Sequence, residues 1–118
     1  MRNISMITNS TTRGILDDIR RESFCSLGDE LKEIVLYGSY ARNDQDQDSD
    51  IDIVAFVDCE SIRLPEIRKK ISEIKVDLSL KYDVVISIII KNYRHYLNYR
   101  EKVPFYSTIY NEGIPIHA

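Results

Sequence analysis

The amino-acid sequence predicts a mixed α/β (α+β) domain, in which helices pack on a small mixed sheet of three to four strands. Two patterns support this fold class. Short apolar runs of strand length alternate with longer stretches in which apolar residues recur every three or four positions. Strands that alternate with helices form layered domains. At 118 residues, the chain is expected to form a single domain around one hydrophobic core.

The first half of the chain contains one predicted helix and two predicted strands. Residues 1–9 are polar and irregular, and we expect them to be a disordered lead-in. Ser10 and the two threonines after it are suitable caps for a helix that ends at Gly28. Two apolar runs then predict strands, LKEIVLY at Leu31–Tyr37 and IDIVAFV at Ile51–Val57.

The second half begins with a long predicted helix. Apolar residues at three- and four-residue steps predict it over residues 65–82, with a proline in its first turn. A β-branched run predicts a third strand at Val84–Ile90. Two short helices are expected at residues 92–99 and 104–111, and a short closing strand at residues 114–116.

Composition excludes several classes of protein. The net charge is −3 and the isoelectric point is about 5.4, which does not favour a broad nucleic-acid surface. No apolar run approaches the ~20 residues that a membrane-spanning helix needs. The N-terminal residues also lack the apolar segment of a secretory signal. These features predict a cytoplasmic protein without a membrane segment.

The first strand ends at a turn that favours phosphate binding. Gly38 allows the backbone to turn sharply and to approach a ligand, and Ser39 is placed to begin a helical turn with free N–H groups. Arg42 follows closely, and its guanidinium suits a triphosphate. The alternative is that Arg42 is a surface residue paired with Asp44 or Asp46 of the polar loop.

The second strand begins with two aspartates. Asp50 and Asp52 are two positions apart, so their side chains point to the same face of a strand, while Ile51 and Ile53 point to the core. Two adjacent carboxylates repel each other unless a cation lies between them. Mg²⁺ prefers carboxylate and phosphate oxygens. The pattern therefore favours a magnesium site over a merely solvated strand end.

These motifs together resemble a known family. Gly38-Ser39, ten intervening residues and Asp50-Ile51-Asp52 resemble the hG(G/S)…DhDh signature of the polymerase-β-like nucleotidyltransferase superfamily. The fuller pattern, GSYAR…SDIDI, is similar to its minimal nucleotidyltransferases from bacteria and archaea. The C-terminal segment PFYSTIYNEGIPIHA is also similar to the end of such domains. The resemblance extends from about Leu31 to the C-terminus.

The resemblance implies a role for each matching residue. Gly38 and Ser39 would contact the phosphates of a nucleoside triphosphate such as ATP, with Arg42 and Ser49 as further nucleotide-binding residues. Asp50 and Asp52 would be catalytic and would bind one or two Mg²⁺ ions. The implied reaction is attack of a hydroxyl on the α-phosphorus, with release of pyrophosphate.

The family usually has a third carboxylate on a later strand. Asp83, which the sequence places at the start of the third strand, is the candidate for this catalytic and metal-binding position. Asp77 is the rival, although helical spacing puts it inside the long helix. A third reading is that no such carboxylate exists, in which case the domain binds nucleotide and transfers it slowly or not at all.

The acceptor of the nucleotide cannot be read from these residues. The sequence resembles antitoxins of two-gene systems whose toxin is a helical HEPN protein, which implies transfer of AMP to a tyrosine of such a partner. One alternative is a non-catalytic module that inhibits a partner by occlusion, with the tyrosine-rich segment as its surface. Another is antibiotic adenylylation, although such enzymes generally carry an additional helical domain. A homo-oligomer is also compatible with the sequence.

Overall fold

The computed structural model describes residues 2–117 and contains four strands and five helices. The strands are β1 (Leu31–Tyr37), β2 (Ile51–Val57), β3 (Ile86–Asn92) and β4 (Ile114–His117). The helices are α1 (Ser10–Leu27), α2 (Ser39–Arg42), α3 (Leu64–Tyr82), α4 (Tyr93–Tyr99) and α5 (Pro104–Glu112). Short 3-10 turns lie at Ile4–Met6, Gly28–Glu30 and Ser61–Arg63.

The strands form one mixed sheet in the order β3-β2-β1-β4. β1 runs antiparallel to both β2 and β4, and β2 runs parallel to β3. Because parallel neighbours need a crossover connection, α3 links β2 to β3 across one face of the sheet. The predicted fold class is confirmed: a four-stranded mixed sheet with helices packed on it.

One face of the sheet carries an aliphatic core. Alternate residues of the strands, such as Ile34, Leu36 and Ile53, point to this face and pack against α1 and α3. The helical periodicity that predicted α3 arises because its buried residues lie on a single stripe: Ile67, Ile71, Ile74 and Leu78. Burial of each such side chain contributes about 1.5–3 kcal/mol to folding.

The opposite face carries a smaller, aromatic core beneath α4 and α5. Phe56 of β2 stacks on Tyr96 with ring centroids 4.1 Å apart, and Tyr106 meets Tyr96 edge-on at 5.3 Å. Val35 and Val54 complete the strand contribution to this cluster. The tyrosine-rich segment is therefore mainly part of the core, with Tyr99 and Tyr110 exposed.

Before α1, the chain forms the Ile4–Met6 turn, and Ile7 is buried in the aliphatic core. The structure corrects two of the predicted boundaries. The first helix is capped by Asn9, whose side chain accepts a hydrogen bond from the N–H of Thr12 at 2.9 Å. The third strand starts at Ile86, two residues later than its β-branched run suggests.

A polar contact joins the middle of α1 to the C-terminal end of α3. Asp18 of α1 is buried and accepts hydrogen bonds from the Tyr82 hydroxyl and from Lys81 Nζ, the latter at 3.0 Å. Arg21 pairs with the same carboxylate. The Tyr82, Lys81 and Arg21 contacts together lower the pKa of Asp18 to about 2 against the effect of burial.

Candidate functional site

The predicted glycine turn and the predicted aspartate pair meet in the structure. Gly38 ends β1 with φ of 74°, a left-handed conformation that favours glycine. The Asp52 carboxylate lies directly against this glycine: a Cβ added at Gly38 would overlap Asp52 Oδ2 and stand 3.3 Å from Cγ. Gly38 therefore needs both its backbone freedom and its lack of a side chain.

The pairing of β1 with β2 produces this contact. Tyr37, the last residue of β1, pairs with Asp52 in the antiparallel register. Ile51 and Ile53 are almost fully buried in the aliphatic core, as expected from the two-residue period. Asp52 therefore points to the aromatic face, at the rim that α4 and α5 leave open, and Asp50 lies exposed just before β2.

The electrostatics of Asp52 fit a cation site. Burial raises the pKa of the Asp52 carboxyl, and the charge of Asp50 raises this pKa further, whereas Arg42 acts in the opposite direction. The ionised pair is thus disfavoured without a counterion. Two carboxylates of this kind are ligands that Mg²⁺ prefers when phosphate oxygens complete its coordination.

The residues after the glycine form a single helical turn, as expected. Ser39 begins α2, and the Gly38 carbonyl accepts hydrogen bonds from the N–H groups of Ala41 and Arg42, both at 3.1 Å. Arg42 Nε lies 3.2 Å from Asp44 Oδ2, so in this conformation it makes the surface pair considered as the alternative. The positive charge of Arg42 nevertheless acts to lower the pKa of the Asp52 carboxyl.

Ser49 takes part in a turn of the acidic loop. Its hydroxyl accepts a hydrogen bond from the Asp46 N–H at 3.0 Å and lies 3.3 Å from Asp46 Oδ1. The same carboxylate oxygen accepts the Asp48 N–H at 2.8 Å. These contacts fix the chain just before Asp50, so the structure gives Ser49 a role in shaping the loop.

The expected position of Asp83 is wrong. Asp83 does not open β3: it ends α3 in a left-handed conformation with φ of 52°, and its N–H donates to the Ser79 carbonyl. The residue of β3 that pairs with Asp52 is Ser87. Asp77 is exposed on α3. Within residues 2–117, no three acidic, histidine or cysteine side chains are grouped as a metal site.

Asp83 lies near the site without joining the aspartate pair. Together with Tyr40, Ser49 and Val85, it lines a cavity of about 410 Å³ beside the acidic loop. The cavity borders the start of β2, where the Ile51 N–H donates to the Val85 carbonyl at 2.9 Å.

Sequence reasoning missed Tyr37 as a neighbour of the site. Its ring meets Phe105 of α5 edge-on, with centroids 5.4 Å apart. Burial, followed by the charge of Asp52, raises the pKa of the Tyr37 hydroxyl. The position immediately before the glycine turn was the available signal, because the last residue of β1 must lie beside the first residues of an antiparallel β2.

None of the helices within residues 2–117 combines the length and the apolar character that crossing a membrane requires.

Residues 18–111 match the family described as the nucleotidyltransferase domain. The chain therefore belongs to this family, and its class is that of a nucleotidyltransferase enzyme. The resemblance seen in the GSYAR…SDIDI pattern is confirmed.

Curated relatives occur in Methanocaldococcus jannaschii. The chain is 35% identical over 102 residues to "Putative protein adenylyltransferase MJ0141", which covers 86% of this chain and 95% of that protein. It is 34% identical over 83 residues to a second protein of the same description, MJ0604, covering 70% of this chain and 75% of the relative.

Solved structures share the fold at low sequence identity. A chain in a crystal structure of a toxin–antitoxin with AMP-PNP aligns with a TM-score of 0.54 and 18% identity, covering 86% of this chain and 71% of that chain. A chain in a mutant form of the toxin–antitoxin MntA-HpeT aligns with a TM-score of 0.55 and 16% identity, with the same coverages. These likenesses establish the fold.

Proposed function

We propose that the chain transfers AMP from ATP to a hydroxyl group of a protein acceptor, and that Asp50 and Asp52 hold the Mg²⁺ that this reaction needs. The contact between Gly38 and the Asp52 carboxylate carries the proposal, because a turn that binds phosphate and a carboxylate that binds Mg²⁺ would have to lie together to hold one Mg-ATP. The names of the archaeal relatives, which describe protein adenylyltransferases, support the nucleotide and the acceptor class.

The residues at the sheet rim fit a magnesium ion. Asp50 and Asp52 would supply oxygen ligands. Burial and, secondly, the charge of Asp50 raise the pKa of Asp52, and a cation would offset both effects. Bound there with the triphosphate, Mg²⁺ would neutralise charge on the leaving pyrophosphate. Ser39 and the backbone N–H groups at the start of α2 would orient the phosphates, and Arg42 would exchange Asp44 for a phosphate oxygen.

In the proposed reaction, the acceptor oxygen forms a bond to the α-phosphorus while the bond to the bridging oxygen breaks. Pyrophosphate leaves, and water takes the proton of the acceptor hydroxyl. The protein contributes position and charge neutralisation. Asp83 has no metal-binding part in this scheme, since it lies at the end of α3 and Ser87 occupies the position beside Asp52.

For the acceptor, we propose a tyrosine of a HEPN-type toxin that is encoded with this chain and shares its location in the cytoplasm. Two observations support this choice. The fold is shared with chains from toxin–antitoxin crystal structures. Asp52 is only half-buried, which would allow a protein side chain to approach the reacting phosphate.

Calorimetry with ATP tests the binding step. We expect wild type to bind ATP with Mg²⁺ and much more weakly without it, and Asp50→Asn/Asp52→Asn to lose the metal-dependent part. Asp48→Asn is the matched control: it removes a charge two residues before Asp50 from an exposed loop position. Metal-dependent binding that survives in the double variant would exclude the proposed pair.

Asp83→Asn tests the third carboxylate separately. The described geometry predicts that this variant keeps metal-dependent ATP binding and keeps transfer. A loss of transfer with unchanged binding would instead assign Asp83 a role in activating the acceptor, reached through a conformational change.

A second candidate function is inhibition of a partner by binding alone. The lack of a three-residue metal group among residues 2–117 favours it. Incubation of the chain with radiolabelled ATP and its co-expressed partner separates the two functions. Label on a partner tyrosine supports transfer, whereas inhibition of the partner without label, and unaffected by Asp52→Asn, supports occlusion.

A further inference from the structure

The two edges of the sheet differ in how they are protected. β4 is only four residues long, contains Pro115 and lies against the N-terminal turn at Ile4–Met6. β3 is seven residues long, has the sequence ISIIIKN and contains no proline. Natural edge strands are usually shortened, charged or covered, because a long apolar edge is a template for pairing. Of these protective features, the sequence of β3 contains only a charged residue, Lys91, near its end.

The backbone of β3 is open for a further strand. The Ile51 N–H donates to the Val85 carbonyl, which directs the polar backbone groups of Val85 and of every second residue after it towards β2. Since these groups alternate in direction along a strand, those of Ile86, Ile88 and Ile90 point away from the sheet. Within residues 2–117, β3 pairs with β2 alone.

Apolar side chains continue beyond this open backbone. Ile88, Ile89 and Ile90 are each half-buried, and a groove of about 410 Å³ separates the first part of α3 from β3. Leu80 and Val85, at the other end of the same edge, are 78% and 60% exposed. Large apolar side chains aligned along an open strand indicate an interaction surface.

Charge along this edge is divided between its two ends. Arg68, Lys75 and Lys91 surround the groove at the end of β3. Asp83 and Asp48 line the cavity at its start. A two-fold axis beside the middle of β3 would exchange these ends, so that the basic end of one copy would meet the acidic end of the other. A second copy of the chain is thus complementary in charge to this edge.

We propose that β3 pairs antiparallel with β3 of a second copy and forms a continuous eight-stranded sheet. A two-fold axis perpendicular to the sheet keeps each face on its own side, so residues opposite each other must share a face. With the outward backbone groups paired, Ile88 faces Ile90 of the second copy, and Ile89 lies on the axis. The dimer buries the isoleucine edge and satisfies its free backbone groups.

Cysteine cross-linking tests the arrangement directly. In an antiparallel pair, residues opposite each other without a shared hydrogen bond have Cα atoms about 4.5 Å apart, close enough for a disulfide. We expect Ile89→Cys, in a chain whose Cys25 and Cys59 are replaced by serine, to form a covalent dimer under mild oxidation. Ile62→Cys is the exposed control, and equal cross-linking of both variants overturns the proposal.

Sedimentation tests the association itself, without nucleotide or partner. Wild type is expected to sediment as a dimer in the high micromolar range, and a monomer there overturns the proposal. Ile88→Pro removes an outward N–H and leaves the ladder to β2 intact, so we expect a folded monomer. If this variant fails to fold, Arg68→Glu is used in its place, and the exposed Lys69→Glu serves as its control. A dimer that persists unchanged in Arg68→Glu also overturns the proposal.

The pairing would also bring a basic residue to the candidate site, a consequence that rests on the proposed function. Ser87, Ile89 and Lys91 share the face of Asp52, so Lys91 of the second copy would lie opposite Ser87. An exposed charge contact of this kind corresponds to about a two- to fivefold change in affinity. Lys91→Gln should weaken Mg-ATP binding by that factor in the dimer and leave it unchanged in the Ile88→Pro monomer. If Lys91→Gln weakens Mg-ATP binding equally in the dimer and in the monomer, Lys91 acts only on the site of its own chain. If wild type does not bind Mg-ATP at all, the result counts against the proposed function instead.

Discussion

The two faces of the sheet serve different purposes. The aliphatic face lies under α1 and α3, helices of 18 and 19 residues, whose buried residues pack in the aliphatic core. The aromatic face lies under α4 and α5, helices of only 7 and 9 residues, which leave one rim open. Asp52 points to that rim, next to Gly38. The longer helices thus bury the larger core, whereas the residues of the candidate site lie at the rim of the smaller one.

The strongest test of this division is Gly38→Ala. A methyl group there would overlap the Asp52 carboxylate, and the left-handed backbone would add strain of about 1–2 kcal/mol. We expect the loss of Mg-ATP binding from a chain that still folds. Calorimetry and circular dichroism measure the two properties. Gly14→Ala is the control, since a Cβ at that helical position has open space and should stabilise the fold by up to about 1 kcal/mol.

The aliphatic face is expected to respond in the opposite way. Leu16→Ala leaves a cavity beneath α1, and because Leu16 is fully buried, the free energy of unfolding should fall by about 2–5 kcal/mol. Urea titration measures this change, and ATP affinity of the folded fraction should stay as in wild type. Leu97→Ala, on the exposed side of α4, should change stability by less than about 0.5 kcal/mol. Similar losses in the two variants would contradict the division.

The polar contact of Asp18 between α1 and α3 makes the stability of the aliphatic side depend on pH. The folded pKa of Asp18 is about 2, below its ordinary value of 3.8. Its stabilising contribution is therefore complete above the unfolded pKa and is lost as the pH falls from about 4 to about 2. Asp18→Asn should remove this part of the pH dependence of the urea midpoint. Asp17→Asn, an exposed neighbour, should preserve it; an identical pH profile in wild type and Asp18→Asn would refute the assignment.

The smallest effect is expected within the aromatic face. His95 Nδ1 and the Tyr106 hydroxyl form a hydrogen bond of 2.8 Å that joins α4 to α5. Tyr106→Phe keeps the ring stacking and removes this bond, so stability should fall by about 0.5–1.5 kcal/mol. Thermal unfolding measures the change, with the exposed Tyr110→Phe as control. If Tyr106→Phe changes the free energy of ATP binding more than the free energy of unfolding, the site depends on the position of α5.

Local sequence patterns predicted most of the elements for identifiable reasons. β1 and β2 have the predicted bounds because each apolar run is limited by a glycine or an aspartate. α3 was recognisable from its proline and its buried stripe. The start of β3 was misplaced because VVISIII is β-branched throughout, and nothing within the run distinguishes the connection from the strand. Pairing of Ile51 with Ile86 decides where the strand begins.

The candidate site was predictable only in part. The pattern of Gly38, Ser39, Asp50 and Asp52 indicated the residue types, and the alternation in β2 indicated that Asp52 faces away from Ile51 and Ile53. The position of the candidate third carboxylate was not predictable. From its place in the chain Asp83 was expected to open β3, yet α3 extends to Tyr82 and ends at Asp83 in a left-handed cap.

The periodicities, the caps and the motif could be recognised from residues that are close along the chain. Which distant residues became neighbours depended on how the strands pair in three dimensions. The antiparallel register of β1 and β2 brought Gly38 to Asp52, and the parallel pairing of β2 and β3 put Ser87 beside that aspartate and left the isoleucine edge open. Such contacts follow from the hydrogen-bond register between strands that are far apart along the chain, which is fixed only when the strands pack their apolar faces into one core.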